Sequence, residues 1–510
     1  MTSRSFALVS VAVLLAGLGT GCDPSDDGGD AGGGGGAGGD PDGGNGFPGE
    51  DGSVPDASAE PDAGDAAVAD HCPEPAGAGT THQGVIDADE TWTLEDSPHV
   101  ITGDLSIQAS TVTIEGCVVV RVQEGRNITI GGTGSEPDSA LVAKGEVPSV
   151  ANGEQHRPVR FVADEDGTHW GSIHVLESGR VDLEVVVLED GGAHATAQNY
   201  GGTLVAVGGG GPDLARIVRT VNVRVLRSEG FGVNLQSFAA FTEDSRDLLI
   251  AGAGQTPSPS NIVTDHPLFV APPALQTIPV GEYTGNAVDA IDVFNQSQVH
   301  IDETFRAHGV PYLLRNGFAM IPEAASGPIT LTLEAGVRLL FPRGDSGVVS
   351  MNLGQSGEML DSDQGTVRLV AQGTTDGPIV LTSAEQAPRA GDWGGVFWAA
   401  GPATGNVIDH MRIEYAGGDS GFGSFGCGPP DNDAALIITN WRPSEDFIDN
   451  LAISDSAGGG IVSGWASDDY GPDLSAGNTF TDIANGCDVA RWQDESSPAC
   501  PGDGSTPSCL

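Results

Sequence analysis

The apolar positions of this chain fall into short runs with the spacing of strands. Val112-Thr-Ile114, Val118-Val-Val120, Leu183 with Val185-Val-Val187, and Val221-Asn-Val-Arg-Val225 alternate or run continuously for a few residues. Gly, Asp, Asn and Ser bound these runs, and no segment carries a capped stripe at helical spacing. The pattern predicts an all-β chain.

The runs also recur in order. Asp89-Glu-Thr-Trp92 returns as Asp302-Glu-Thr-Phe305, Pro98-His-Val-Ile101 as Pro311-Tyr-Leu-Leu314, and Leu105-Ser-Ile107 as Phe318-Ala-Met320. Thr113-Ile-Glu115 matches Thr332-Leu-Glu334, Leu141-Val-Ala-Lys-Gly145 matches Leu369-Val-Ala-Gln-Gly373, and Trp170-Gly171 matches Trp393-Gly394. Leu188-Glu189 returns as Ile413-Glu414, and Asn222-Val-Arg-Val225 as Asn450-Leu-Ala-Ile453. Two tandem copies are therefore expected, 72–256 with an N-terminal cap and 296–487, joined by a Pro/Ser-rich junction at 257–295 and followed by a cysteine-containing tail at 488–510.

Short strands recurring every roughly 20 to 25 residues suit a solenoid whose coils stack to share one core. A β-sandwich would favour tight hairpin turns and would not predict one collinear duplication. The second copy carries Leu331-Thr-Leu-Glu-Ala-Gly336, Pro378-Ile-Val-Leu-Thr-Ser383, Gly391-Asp-Trp-Gly-Gly-Val396 and Ile413-Glu-Tyr-Ala-Gly417. In these motifs it resembles the pectin-lyase-like proteins of bacterial surfaces. The first copy follows the pattern less closely, with Thr168-His-Trp-Gly-Ser172 at the Asp-Trp-Gly-Gly position. The resemblance implies a right-handed parallel β-helix over most of residues 82–487. These motifs belong to the scaffold, so the resemblance implies the fold more strongly than any activity.

The ends of the chain point to export. Arg4 precedes an apolar run, Phe6 to Leu18, too short to span a bilayer comfortably, which reads as a signal peptide over 1–21. Gly19, Thr20 and Gly21 lead into Cys22, a segment that resembles a bacterial lipobox, although Leu18 stands one residue further from the cysteine than is usual. The resemblance implies a lipid on Cys22 and a membrane anchor. The expected location is the outer membrane or cell surface of a Gram-negative bacterium, although Asp23 resembles an inner-membrane retention signal. Residues 22–71 are mostly Gly, Asp, Ala and Pro, with almost nothing to bury, and are expected to form a disordered acidic tether.

Composition narrows the partners. The formal net charge of −50 argues against nucleic acid or anionic headgroups and leaves neutral glycans, cationic ligands or envelope proteins. Beyond Cys22, the six cysteines Cys72, Cys117, Cys427, Cys487, Cys500 and Cys509 fit a disulfide framework in an exported chain. Cys72 with Cys117 is the expected pair, the other four pairing among themselves.

Catalytic sets are fragmentary. Asn261-Ile-Val-Thr264-Asp265 and Asp409-His410 are pieces of a polygalacturonase-like set, Asp468/Asp469 reads as a polar loop, and Glu243-Asp-Ser-Arg-Asp247 as a loop ion pair. Asp361 and Asp363 resemble the opening of a calcium loop, but Gln372 stands where its closing Glu would be; calcium is the one cofactor weighed. His169 and His174 have an odd spacing that disfavours joint metal binding. Two functions follow: a non-catalytic binding, structural or adhesive protein, or a polysaccharide lyase or glycoside hydrolase on the same fold. A groove where carboxylates and an arginine converge would favour the enzyme; scattered charges would favour the binding protein.

Overall fold

The computed structural model describes residues 71–491 and 508–509, apart from the short stretches 133–137, 148–156, 194–200, 210–212, 257–264, 295–297, 324–326, 345–348, 355–364, 400, 421–432, 440–442, 444 and 465–471. All of them fall in one compact unit, Pro61–Leu510. Among the described residues no helix is long and apolar enough to cross a membrane.

The chain is almost entirely β, and its strands pair in parallel between successive coils. In the first half they form three ladders. The first runs through Glu90–Trp92, Thr111–Ile114, Ser139–Lys144 and the opening of Gly179–Glu189. The second runs through Val119–Val122, Val159–Ala163, the end of Gly179–Glu189, the end of Ala215–Leu226 and Arg246–Ala251. The third stacks Ile107, Ile130, Val175, Ala206, Leu235, Val270 and Val293 in one register row. Every member of that row is fully buried. Period-two alternation sends these side chains inward and their neighbours outward, so stacking coils removes the apolar row from water. Each fully buried Val, Ile or Leu contributes about 1.5–3 kcal/mol. The ladders are consistent with a β-helix.

In the second half the strands also pair in parallel. Glu303–Phe305, Ile329–Leu333, Val367–Gln372 and Val407–Glu414 form one ladder, and Tyr312–Leu314, Arg338–Phe341, Ile379–Ser383, Val407–Glu414, Ile448–Ser456 and Thr479–Ile483 another. A separate sheet runs from Phe318–Met320 to Val489–Arg491 and closes with the antiparallel pair Ser508–Cys509. In this sheet Phe397, Ile437, Val462 and Ala490 form a second buried cluster apart from the main core. The stretch 257–295 contributes the buried strands Leu268–Val270 and Ile291–Val293 and the 3-10 segment Pro272–Thr277. Ile291–Val293 ends the third ladder of the first half and pairs onward with Tyr312–Leu314, which belongs to the second half.

Positions matched between the halves share backbone conformation. Left-handed corners occur at Val185 and His410 (φ 54 and 50), Asp190 and Tyr415 (58 and 60), Asn222 and Asn450 (51 and 52), and Arg227 and Asp455 (51 and 53). Trp170 and Trp393 are both buried, and each indole Nε1–H donates to a matched carbonyl, Glu189 at 2.8 Å and Glu414 at 2.9 Å. Asp89 and Asp302 each accept a backbone N–H from the coil above, Thr111 at 2.8 Å and Thr330 at 2.7 Å. The Asp of Gly391-Asp-Trp-Gly has a scaffold role as well. Asp392 is buried and binds Arg343, the Ser383 hydroxyl at 2.6 Å and the Arg389 N–H at 3.0 Å.

Candidate functional site

A cleft of about 760 Å³ opens on the first half, at the corner that follows the second ladder. Its floor follows from stacking. Asp190 and Arg227 occupy the same left-handed corner in successive coils, Asp190 N–H donating to Leu226 O at 3.1 Å and Arg227 N–H to Ala251 O at 2.9 Å. The guanidinium therefore lies against the carboxylate of the coil below, with Nε 2.8 Å and an Nη 2.9 Å from its oxygens. Glu189 is largely buried and bridges two cations, Arg227 at 2.5 Å and Arg160 at 3.2 Å. The hydrogen bonds with Asp190 raise Arg227 above its ordinary pKa; burial opposes that shift and Glu189 reinforces it.

One wall is the turn Asp164-Glu-Asp-Gly167, tied to the ladder where Asp164 N–H donates to Val122 O. His169 lies beside it. Arg121 also lines the cleft: it points outward between inward-facing Val120 and Val122, in register with Val162 of the next coil. It is exposed and makes no ion pair among the described residues. The cleft thus combines an arginine–carboxylate lattice, the acidic turn, and Arg121, which makes no ion pair among the described residues.

Of the candidate site residues singled out in the sequence, His169 lines the cleft and the other described ones lie elsewhere. Cys72 and Cys117 form the expected disulfide. Cys487 is buried and disulfide-bonded. Cys22, Cys427 and Cys500 lie outside the described residues, as does the Cys509 side chain, and so do Asp361, Asp363, Asp468 and Asp469. Among the described residues no group of three His, Cys, Asp or Glu side chains is placed to hold a metal. His174 is buried on the third ladder, in register with Thr129 and Val205, whereas His169 lines the cleft. Glu243, Asp244 and Asp247 pair with Arg216, Arg219 and Arg246, the closest contact being Asp244 with Arg219 at 2.7 Å.

Of the two polygalacturonase-like fragments, Asn261 to Thr264 lie outside the described residues, while Asp265 and the Asp409-His410 pair make polar clusters. Asp265 is 2.7 Å from Nδ1 of buried His266, and Arg315 Nε donates to both oxygens of buried Asp292 at 2.8 Å. Asp409 accepts His410 Nδ1–H at 2.7 Å and Asn450 Nδ2–H at 3.0 Å, and the Asn450 bond leads in holding its carboxyl below the usual range. His410 Nε2 then takes the Thr375 hydroxyl at 3.3 Å. That chain of bonds has the order of a nucleophilic triad. It sits on a corner that both halves possess, Val185 being the match of His410, so the scaffold accounts for its geometry.

The arginines of the cleft carried only a weak signal in the sequence. Val119-Val-Arg-Val122 and Pro158-Val-Arg-Phe161 mark Arg121 and Arg160 as outward-facing, but which coils become neighbours is fixed by loop lengths. No family model matches the chain, and neither the curated proteins nor the solved structures show a match to it.

Proposed function

We propose that this protein is an exported lipoprotein, anchored through Cys22, which holds a right-handed parallel β-helix of two tandem copies on its acidic tether. In this reading the β-helix is of the pectin-lyase-like kind and binds a glycan or an envelope protein at the cell surface without cleaving it. The parallel ladders and the matched corners support the architecture, and the apolar run before Cys22 supports the anchor.

The observation that carries the binding role is the cleft. Glu189 and Asp190 present their oxygens to guanidinium N–H groups, which makes them struts of the wall and leaves Arg121 as a lining cation with no ion pair among the described residues. A guanidinium fork of this kind suits carboxylate or hydroxyl groups of a sugar chain. The second reading, a polysaccharide lyase or hydrolase, is favoured by the convergence of carboxylates and arginines in that same cleft.

Incubation of the protein with uronic and neutral polysaccharides, with and without calcium, separates the two. Retention without cleavage, weakened by Arg121→Ala, is the expected result. Unsaturated products or new reducing ends would overturn it in favour of the enzyme, and no retention of any polysaccharide would remove the glycan as ligand.

A further inference from the structure

The interior of the solenoid is apolar along its coils, with aliphatic and aromatic side chains, and at the N-terminal end it is closed by two histidines stacked with a tryptophan. Trp92, 2 % exposed, ends the first ladder, and His99, also 2 % exposed, lies beside it with ring centroids 5.0 Å apart and planes 8° from parallel. His82, on the outermost strand Thr80–Ile86, stacks on Trp92 at 4.3 Å and on His99 at 5.2 Å. In the next coils Ile101, Ile107, Ile114 and Val120 continue the core. The three rings therefore form the plug between the mouth of the solenoid and water.

Hydrogen bonding fixes the tautomers. His99 Nε2 is 3.2 Å from the Thr93 carbonyl, an acceptor only, so that nitrogen carries the proton and Nδ1 is left as an acceptor. His82 Nε2, 3.0 Å from that Nδ1, is then the donor. The contact survives one protonation, since a charged ring can donate to a neutral partner, and is lost only when both rings are charged. Charging both rings sets two N–H groups against each other and adds cation repulsion inside an apolar mouth.

We propose that this plug is an acid-sensitive latch, which releases the outermost strand, Thr80–Ile86, when both imidazoles become charged. The groups that face it are Glu90 on the adjoining strand, whose Oε2 accepts the Trp92 Nε1–H at 3.1 Å, and Asp96 in the turn, which is held by the Thr93 hydroxyl at 3.0 Å. Their charges favour one protonated histidine, a state that keeps the ring-to-ring bond, so release needs the second proton. Burial lowers the proton affinity of both rings, aided at His82 by His99 and opposed at His99 by the Thr93 carbonyl, Asp96 and Glu90. A lowered folded-state value means that stability is present above the ordinary histidine range and lost as pH falls through and below it. The disulfide from Cys72 to Cys117 keeps the released segment attached to the first coils, so opening is local and reversible.

Hydrogen exchange of the full chain between pH 8 and pH 5, corrected for intrinsic rates, tests the latch. Amides of Thr80–Ile86 and Glu90–Trp92 should exchange about fivefold faster at the acid end, the effect of losing one net hydrogen bond. Amides of Ile329–Leu333 should not change. His82→Gln keeps a donor for His99 and leaves one imidazole, so it should abolish most of the acid effect. Equal acid loosening in His82→Gln, or no loosening in the parent, overturns the proposal. Imidazole proton resonances of the parent supply a second readout should the variant not fold. Two rings titrating independently at the ordinary histidine value would overturn it as well.

Discussion

Gly417 and Ser456 define a close contact whose energetics can be worked out. Gly417 has φ +75, and a Cβ there would collide with the hydroxyl of Ser456, which is fully buried and donates to Gly459 O at 2.8 Å. Gly417→Ala therefore combines about 1–2 kcal/mol of left-handed strain with about 1–3 kcal/mol of overpacking. Ser456→Ala alone costs about 1 kcal/mol, one net hydrogen bond. In the double variant the hydroxyl is gone, and the strain, the lost bond and the approach of the new Cβ to Gly458 N at 2.8 Å remain. The pair should therefore cost less than the sum of the singles, with a coupling of about 0.5–3 kcal/mol. Gly192 and Ser228 repeat the geometry, with φ +77 and a buried hydroxyl donating to Phe231 O at 2.6 Å. Ser228 also accepts the Thr203 hydroxyl at 2.8 Å, so Ser228→Ala should cost about 1 kcal/mol more than Ser456→Ala. Stacked coils need not unfold together, so the assay is native-state exchange of the amides in Ile448–Ser456 and Ala215–Leu226. Strict additivity in either pair, or coupling in one and not its twin, would refute the reasoning.

Three further outcomes follow from contacts already described. Trp170→Phe and Trp393→Phe each leave a carbonyl, Glu189 or Glu414, without its indole donor and should each cost about 1–3 kcal/mol by local exchange. Cys72→Ser with Cys117→Ser removes a cross-link spanning 45 residues, so the first coils should lose about 4 kcal/mol, read from a denaturant midpoint shift confined to that end. Burial pushes Glu303 up to about 8, against the N–H donors of Thr304 and Gln276. Its folded form holds a proton that the unfolded form releases near 4.5, so stability is greatest in acid and falls as pH rises through that interval. Glu303→Gln should flatten the fall in melting temperature between pH 5 and pH 8, and an unchanged slope would assign the effect elsewhere.

Much of the fold is legible in the sequence because parallel stacking leaves long-range marks. The Trp-Gly pairs, and the Leu-Glu and Asn-Val-Arg-Val runs with their second-half matches, identify positions that prove to share corners and partners, since a corner needs the same backbone wherever it recurs. The strands inside 257–295 are harder to see. Leu268–Val270 and Ile291–Val293 are three residues each, too short to show a period, and their Pro-rich surroundings hide them. The cleft is the least legible feature. Arg121, Arg160, Glu189 and Arg227 stand far apart in the chain, and only the register between coils brings them to one corner. Asp409 and His410, adjacent in sequence and conspicuous for that reason, owe their contact with Thr375 to a corner the other half also has.

The pairing of Ile291–Val293 with Tyr312–Leu314 puts the two halves out of phase. The ladder that leaves the first half as its third becomes, in the second, the one that holds Arg338–Phe341 and Ile379–Ser383. The first half's own second ladder is followed only as far as Gly281–Glu282. Leu340, Thr382 and Glu414, the counterparts of Arg121, Val162 and Glu189, therefore do not extend the same lateral track. Under the proposed glycan-binding role, a polymer laid along the arginine-bearing edge would meet one such cleft and then a different surface.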